Sequence, residues 1–325
     1  MTISRRKLLG SGLALSTVGA AAAPAWAQAY PTKPIRWIVP FAAGGNYDLT
    51  SRLVGEGMSR TLGQTVIVDN RPGAGGLVGS EAAANAPADG YTVVMGSFSV
   101  LYVSPYLAGK PSLVPMFAPI SLLSTVPMIL VGKADGRFAD IRAALAEAKA
   151  KPGTVTIGHA GNGTTNHIAI LRLEVNEGVK FNIIPYKGSG PGLTDLMSGQ
   201  IDLYMDQLTT SLPHIKSGKL KGLLAMSPGR VGQLPDMPSL TDIGSKPFDG
   251  GTTAGLLARV ETPKPILDTL NGAVVKALKD PAIAAKLVEL GAVPRPSTTE
   301  EFAAYMKDQE VGVSALVKSG LLKPS

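Results

Sequence analysis

One pattern runs twice along the chain and narrows its possible folds more than any other. Short apolar runs rich in β-branched residues alternate with glycine-marked turns and helix-spaced apolar positions. Ile35–Phe41 (IRWIVPF) has the composition of a buried strand. Ala42-Ala43-Gly44-Gly45 breaks it, and Leu49, Leu53, Met58 and Leu62 then mark a helix with Asn46 or Asp48 as N-cap candidates and Gly63 at its end. Val66–Val68 predicts a second strand, Asn70–Gly76 a loop into a small-residue helix, and Tyr91–Met95 a third strand. Strand, helix, strand, helix, strand in this order predicts a parallel sheet covered by helices.

The same rhythm returns with strands at Thr154–Gly158, Phe181–Pro185, Ile201–Met205 and Leu220–Met226 and helices between them. The apolar stretch 119–132 joins the two runs and is broken at Pro127, as expected of a strand that leaves one domain and enters another. After a last strand at Thr252–Ala258 come helices at Pro265–Leu278, Pro281–Leu290 and Thr299–Leu316, the last with a capping-box pattern of Thr298 and Glu301. A helical tail after the second lobe implies that the chain returns to complete the first. The expected fold is therefore α/β and two-lobed, each lobe a mainly parallel sheet flanked by helices, with two crossover strands as hinge. Lobe 1 is residues 28–130 plus 251–325, and lobe 2 is residues 131–250.

Residues 1–27 are set apart as an address. A basic start with Arg5, Arg6 and Lys7 precedes a short apolar stretch and Ala25-Trp26-Ala27, an A-x-A cleavage pattern. The arginine pair after Ser4, followed by Lys7-Leu8-Leu9, resembles a twin-arginine signal, with an ordinary Sec signal as the competing reading. Either predicts export, with cleavage near Ala27. The chain's net charge of +7 includes these three basic residues, so the remainder carries +4. No cluster of basic and aromatic residues accompanies that mild excess, and nucleic acid is not an expected partner. The absence of cysteine removes disulfides, thiolate nucleophiles and cysteine metal sites.

Two segments share one construction: strand–PFAAGGNYD–helix at Pro40–Asp48 and strand–HAGNGTTNH–helix at His159–His167. Each sets glycines between a buried strand and a helix N-terminus, where unpaired N–H groups and the helix dipole favour an anion. One such turn from each lobe, facing across a cleft, could hold a carboxylate without a charged side chain. Neither segment is a dinucleotide fingerprint or a P-loop, so no cofactor is expected. His159, His167 and His214 lack metal-site spacing, so no metal is expected. Ser97 and Asp206 stand at strand ends, where α/β sheets place their ligands. Tyr47, Phe98 and Tyr102 are candidate apolar walls. A Ser97–His167–Asp206 hydrolase or isomerase is the enzymatic alternative. It lacks the G-x-S-x-G elbow, and the expectation is that the protein is not an enzyme and has no catalytic residues.

The chain resembles the Bug family, the substrate-binding proteins of tripartite tricarboxylate transporters. The resemblance rests on YPTKPIRWIVPFAAGGNYD, NRPGAGG, ADGYTVVMG, GNGTTNH, IPYKGSGP, LPHIKSGKLKGLLAMS, LPDMPSL and LGAVPRPSTTEEFAAY, which span nearly the whole chain after the export segment. It implies a periplasmic binding protein of the Venus flytrap type, monomeric, that holds a carboxylate through backbone amides, hydroxyls and water. The ligand-binding residues it implies are Ala43, Gly44, Gly45 and Asp48 in one lobe and Gly161, Gly163, Thr164 and His167 in the other, with Ser97 and Asp206 in the cleft. Tyr47 joins them as bulk beside the first turn. Implied partners are the membrane permease subunits of a tripartite transporter, or a sensor kinase. Asn46-Tyr47 after the glycine pair and the tryptophan-free TAGLLARVETP depart from the family pattern. Bulk at Tyr47 and Phe98 suits a flat aromatic acid or a smaller pocket; a mono- or dicarboxylate ranks first among expected ligands and an aromatic carboxylate second.

Overall fold

A computed structural model describes residues 30–324; the expected export segment at 1–27 lies outside the described residues. The chain runs β1 (Ile35–Val39), α1 (Asn46–Leu62), β2 (Val66–Asn70), α2 (Leu77–Ala84), β3 (Thr92–Gly96), α3 (Ser104–Leu107) and β4 (Phe117–Val126). It continues through β5 (Met128–Lys133), α4 (Ile141–Ala150), β6 (Thr156–His159), α5 (Thr165–Glu177), β7 (Asn182–Pro185), α6 (Ser189–Ser198), β8 (Leu203–Gln207), α7 (Leu208–Lys216) and β9 (Leu220–Ala225). It ends with β10 (Thr252–Arg259), α8 (Lys264–Lys279), α9 (Pro281–Glu289), β11 (Val293–Pro294) and α10 (Thr299–Lys318).

The strands form two sheets, in the orders β11-β4-β10-β3-β1-β2 and β7-β6-β8-β5-β9. The first sheet draws on both ends of the described chain and the second on its middle, as the double rhythm predicts. Pro127 supplies no N–H to a ladder, and at this residue the chain leaves one sheet for the other: β4 ends at Val126 and β5 begins at Met128. The return passes beside it, since Thr252 at the start of β10 pairs with Val126.

The sheets are mixed rather than mainly parallel, which corrects the expected strand sense. Between strands, parallel pairing among the described residues is that of β1 with β2 and β3 and of β6 with β7 and β8. β10 is antiparallel to β3 and β4, and β5 to β8 and β9. The strands that enter a sheet from the other one arrive with no crossover helix to set their direction, so they insert against the local run. Two further elements lack a sequence signal: the two-residue β11 on β4 and a π-type turn at Ser99–Val103 leading into α3.

Each sheet has its own core. One gathers Leu130, Ile157, Leu173, Leu203 and Phe248; the other gathers Ile38, Val94, Phe98, Leu257 and Phe302. Ile168 of α5 is buried in the core of the first sheet although its helix flanks the second. α10 opens on the expected capping box, with Thr298 accepting from the Glu301 N–H and the Glu301 carboxylate accepting from the Thr298 N–H.

Candidate functional site

The first glycine turn is braced by its own helix. The Gly44 N–H donates to Asp48 Oδ2 (2.9 Å), as does Arg52 Nε (3.1 Å). Asp48 is therefore turned back onto the loop. Burial would raise its carboxyl, but bonds from Arg52, Gly44 and Asn70 and the Arg52 charge outweigh that and hold it below the usual range. The N-cap is Gly45, without a side-chain cap, so the first-turn N–H groups of α1 keep no side-chain acceptor.

The second turn is braced by two histidines. His159 Nδ1 accepts the Gly161 N–H (3.1 Å) and His167 Nδ1 accepts the Gly163 N–H (3.3 Å). Their rings stack with centroids 4.7 Å apart. Burial drives both pKa values down, to about 3 for His159, with the neighbouring His167 adding to the effect, and to about 4 for His167. Neutral imidazole can accept an N–H at Nδ1, whereas imidazolium cannot. Thr164 caps α5, donating to the Gly161 carbonyl (2.7 Å) and accepting from the His167 N–H (3.4 Å).

The two turns border one space with no hydrogen bond between them among the described residues. Each meets a different glycine turn on the opposite half. The Ala42 N–H beside the first turn donates to the Lys187 carbonyl (2.9 Å), next to the Gly188 turn that opens α6. The second turn packs against the Asn70–Gly76 loop and α3. A side chain at Gly75 would collide with the Asn162 carbonyl, and a Cβ at Gly163 would lie 2.6 Å from Ser104 Cα. Ser104 Oγ lies between the Gly75 and Asn162 carbonyls, at 2.9 and 3.2 Å. Thr209 Oγ1 adds a link to Asn46 Oδ1 (3.0 Å). Among the described residues no ion pair joins the segment 131–250 to the rest of the chain.

These contacts enclose a cavity of ≈ 360 Å³, counting its opening to solvent. Gly45, Asn46 and Tyr47 reach it from α1, Thr164, Thr165 and Asn166 from α5, and Gly188 and Ser189 from α6. Three helix N-termini thus converge on one space. Phe41, Ser99, Val100, Ala160, Gln207 and Thr252 complete the wall. Among the described residues Tyr47 is the only titratable one in the lining, and burial pushes its hydroxyl well above the ordinary value. The site offers neutral donors and a positive dipole end from each of three helices, with no basic side chain at the wall.

Of the sequence-predicted site residues, Gly45, Tyr47 and Thr164 line this cavity. Ala43, Gly44, Gly161 and Gly163 form the turns around it. Asp48 and His167 brace those turns from behind. Ser97 faces a neighbouring chamber and sits 2.9 Å from Ser99 Oγ. Asp206 is fully buried, one residue before the wall. Its Oδ1 accepts from Ser189 (2.6 Å), and its Oδ2 accepts from Ser211 (2.6 Å) and Thr210. Burial raises this carboxyl, and those bonds only partly offset the shift. The hydroxyl it holds, Ser189, is the one that lines the cavity. Ser97, His167 and Asp206 share no hydrogen bond and do not form a triad. Missed among the polar lining residues were Asn46, Ser99, Thr165, Asn166, Ser189, Gln207 and Thr252. Only the YKGSG turn, built like the other two, could have pointed to Ser189.

The profile described as the tripartite tricarboxylate transporter family receptor, TctC, matches residues 50–321. Protein BugT of Bordetella pertussis is 32% identical over 312 residues, covering 94% of each chain. The structure of the periplasmic binding protein BugD is 33% identical with a TM-score of 0.85, covering 91% of this chain and all of its own. MatC of Rhodopseudomonas palustris with bound malate is 30% identical with a TM-score of 0.80, over 86% of this chain and 97% of that one. Another R. palustris protein, with adipate, is 25% identical with a TM-score of 0.86, over 91% of this chain and all of that one.

Proposed function

This chain belongs to the tripartite tricarboxylate transporter receptor family, and on that premise we propose that it captures a small mono- or dicarboxylate in the periplasm. The ligand occupies the cavity between the two halves and passes to the membrane permease subunits of a tripartite transporter, without chemical change. The lobes are residues 28–130 with 251–325, and 131–250. The observation that carries this reading is the convergence of α1, α5 and α6 N-termini on one cavity with no basic side chain at its wall. A carboxylate leaving water needs its hydration replaced. N–H groups and hydroxyls fixed before binding do this at little reorganisation cost. Malate and adipate, bound by two relatives, are such carboxylates.

Binding across the cleft favours the closed arrangement, so a ligand at 100 times its Kd adds about 2.7 kcal/mol to stability. A melting-shift panel of malate, succinate, adipate, acetate and benzoate tests this. At least one acid should raise the midpoint in a dose-dependent way and titrate at 1:1 in calorimetry. No shift from any of them at millimolar concentration removes the carboxylate reading.

A further inference from the structure

Beside the cleft lies a larger chamber of ≈ 1060 Å³, counting its opening to solvent. It is bounded by α5 on one side and by α10 and the end of β3 on the other. Ser99 and Thr165 line both spaces, and the Thr165–Thr252 hydroxyl pair (2.6 Å) stands in the partition. Phe98, Ile168, Phe248 and Val313 give the chamber an apolar side, and hydroxyls of Ser97, Ser99, Thr165 and Thr253 with the Asp249 carboxylate give it a polar one.

Arg172 reaches into this chamber from α5. Its guanidinium lies 3.9 Å over the Phe248 ring. It forms no ion pair and donates no hydrogen bond to any described residue. The nearby Asp249 is exposed at the rim, with Oδ1 occupied by the Gly251 N–H (2.8 Å). A half-buried guanidinium presents five donors in a fixed fork that matches a carboxylate. Stacked on the ring and hydrogen-bonded to no described residue, with only the rim carboxylate of Asp249 as a neighbouring charge, it keeps its donors available to a carboxylate in the chamber.

We propose that this chamber is a second ligand site, distinct from the cleft, for a carboxylate with a hydrophobic body. Arg172 pairs with the carboxylate, and Phe98, Ile168, Phe248 and Val313 receive the body. Because α5 and α10 belong to opposite halves, the occupant touches both and favours their approach, which couples it positively to the cleft ligand.

The probes are 4-phenylbutyrate and octanoate, with the neutral alcohol 4-phenylbutanol as control, titrated calorimetrically into the intact protein. Both acids should bind and the alcohol should not. Arg172→Gln should weaken the acids by tenfold or more. Gly312→Leu fills the chamber from a helical position where an added Cβ meets nothing within 4 Å, and it should abolish their binding. Neither variant should change the melting shift given by the small acids of the cleft panel. Failure of both probes to bind at millimolar concentration overturns the second site, as does binding unchanged in both variants. An Arg172-dependent signal with a silent cleft panel would instead sink the cleft reading and leave the chamber standing.

Discussion

Gly163 has a φ of +81°, a conformation costly for a β-branched residue by about 1–3 kcal/mol. It also has no room for a side chain, because Ser104 Cα of the opposite half lies 2.6 Å from where a Cβ would be. Gly163→Val should hold the halves apart, abolish ligand binding in calorimetry and leave far-UV circular dichroism unchanged. Wild-type affinity in that variant would mean that the turn does not seat against α3 during capture. The histidines behind it give a pH prediction. Their folded pKa values, about 3 and about 4, lie below the ordinary value near 6.5. The unfolded chain therefore takes up protons first as pH falls. Stability from this pair is complete above about pH 6.5 and declines toward pH 4. The stacked rings titrate as a coupled unit. The midpoint of thermal unfolding should drop over that window, and His167→Asn should flatten the slope; an unchanged slope would assign the acid sensitivity elsewhere. At this scale the sequence was only half legible. Glycines between strand and helix mark the turns, but side-chain direction decides which residue lines and which braces. Asp206 and Gln207 are neighbours on β8, and successive strand residues point to opposite faces. The carboxylate at the strand end therefore faces inward, and the amide after it faces the cavity.

At the scale of the element, α1 departs from its apolar line. Leu49, Leu53 and Leu62 are only half-buried, whereas Tyr47, Ser51, Val54, Gly55 and Met58 are buried. Gly57 is buried with them, and an added Cβ there would sit 2.7 Å from Ala277 Cβ on α8 and 2.6 Å from Ile283 Cδ1 on α9. Small residues let the helices approach, and that face outcompetes the leucines. The apolar count could not reveal this, because the partner helices come from more than 200 residues away. Gly57→Val should destabilise the protein by roughly 1–3 kcal/mol through overpacking, read as a lower denaturant midpoint with ligand affinity retained. A neutral or stabilising result would show that α8 and α9 can retreat. Elements with local signals were read well. The strand–Gly–helix rhythm, Pro127 and the Thr298–Glu301 box all correspond to observed features. β11 and the Ser99–Val103 turn carry no such signal, because only tertiary pairing and packing create them.

At the scale of the whole molecule, the double rhythm with one proline-broken join was enough to anticipate two sheets and two crossings. Strand sense was not, since it depends on how each crossing strand enters its new sheet. The polar contacts between the halves, among them Ala42–Lys187, Ser104–Asn162, Asn46–Thr209 and Thr165–Thr252, are uncharged, Ile168 adds apolar packing, and no ion pair joins the halves among the described residues. Mobile ions screen exposed charges over about 8–10 Å at 0.1–0.15 M and find no ion pair between the halves to weaken among the described residues. Single-molecule energy transfer between dyes on the two halves should give open and shut populations that barely move from 10 mM to 500 mM sodium chloride. A strong salt dependence would reveal long-range charge repulsion or attraction that the contact surfaces do not display. A receptor hinged this way would keep the same grip in dilute and in briny surroundings, and respond to its guest rather than to the brine.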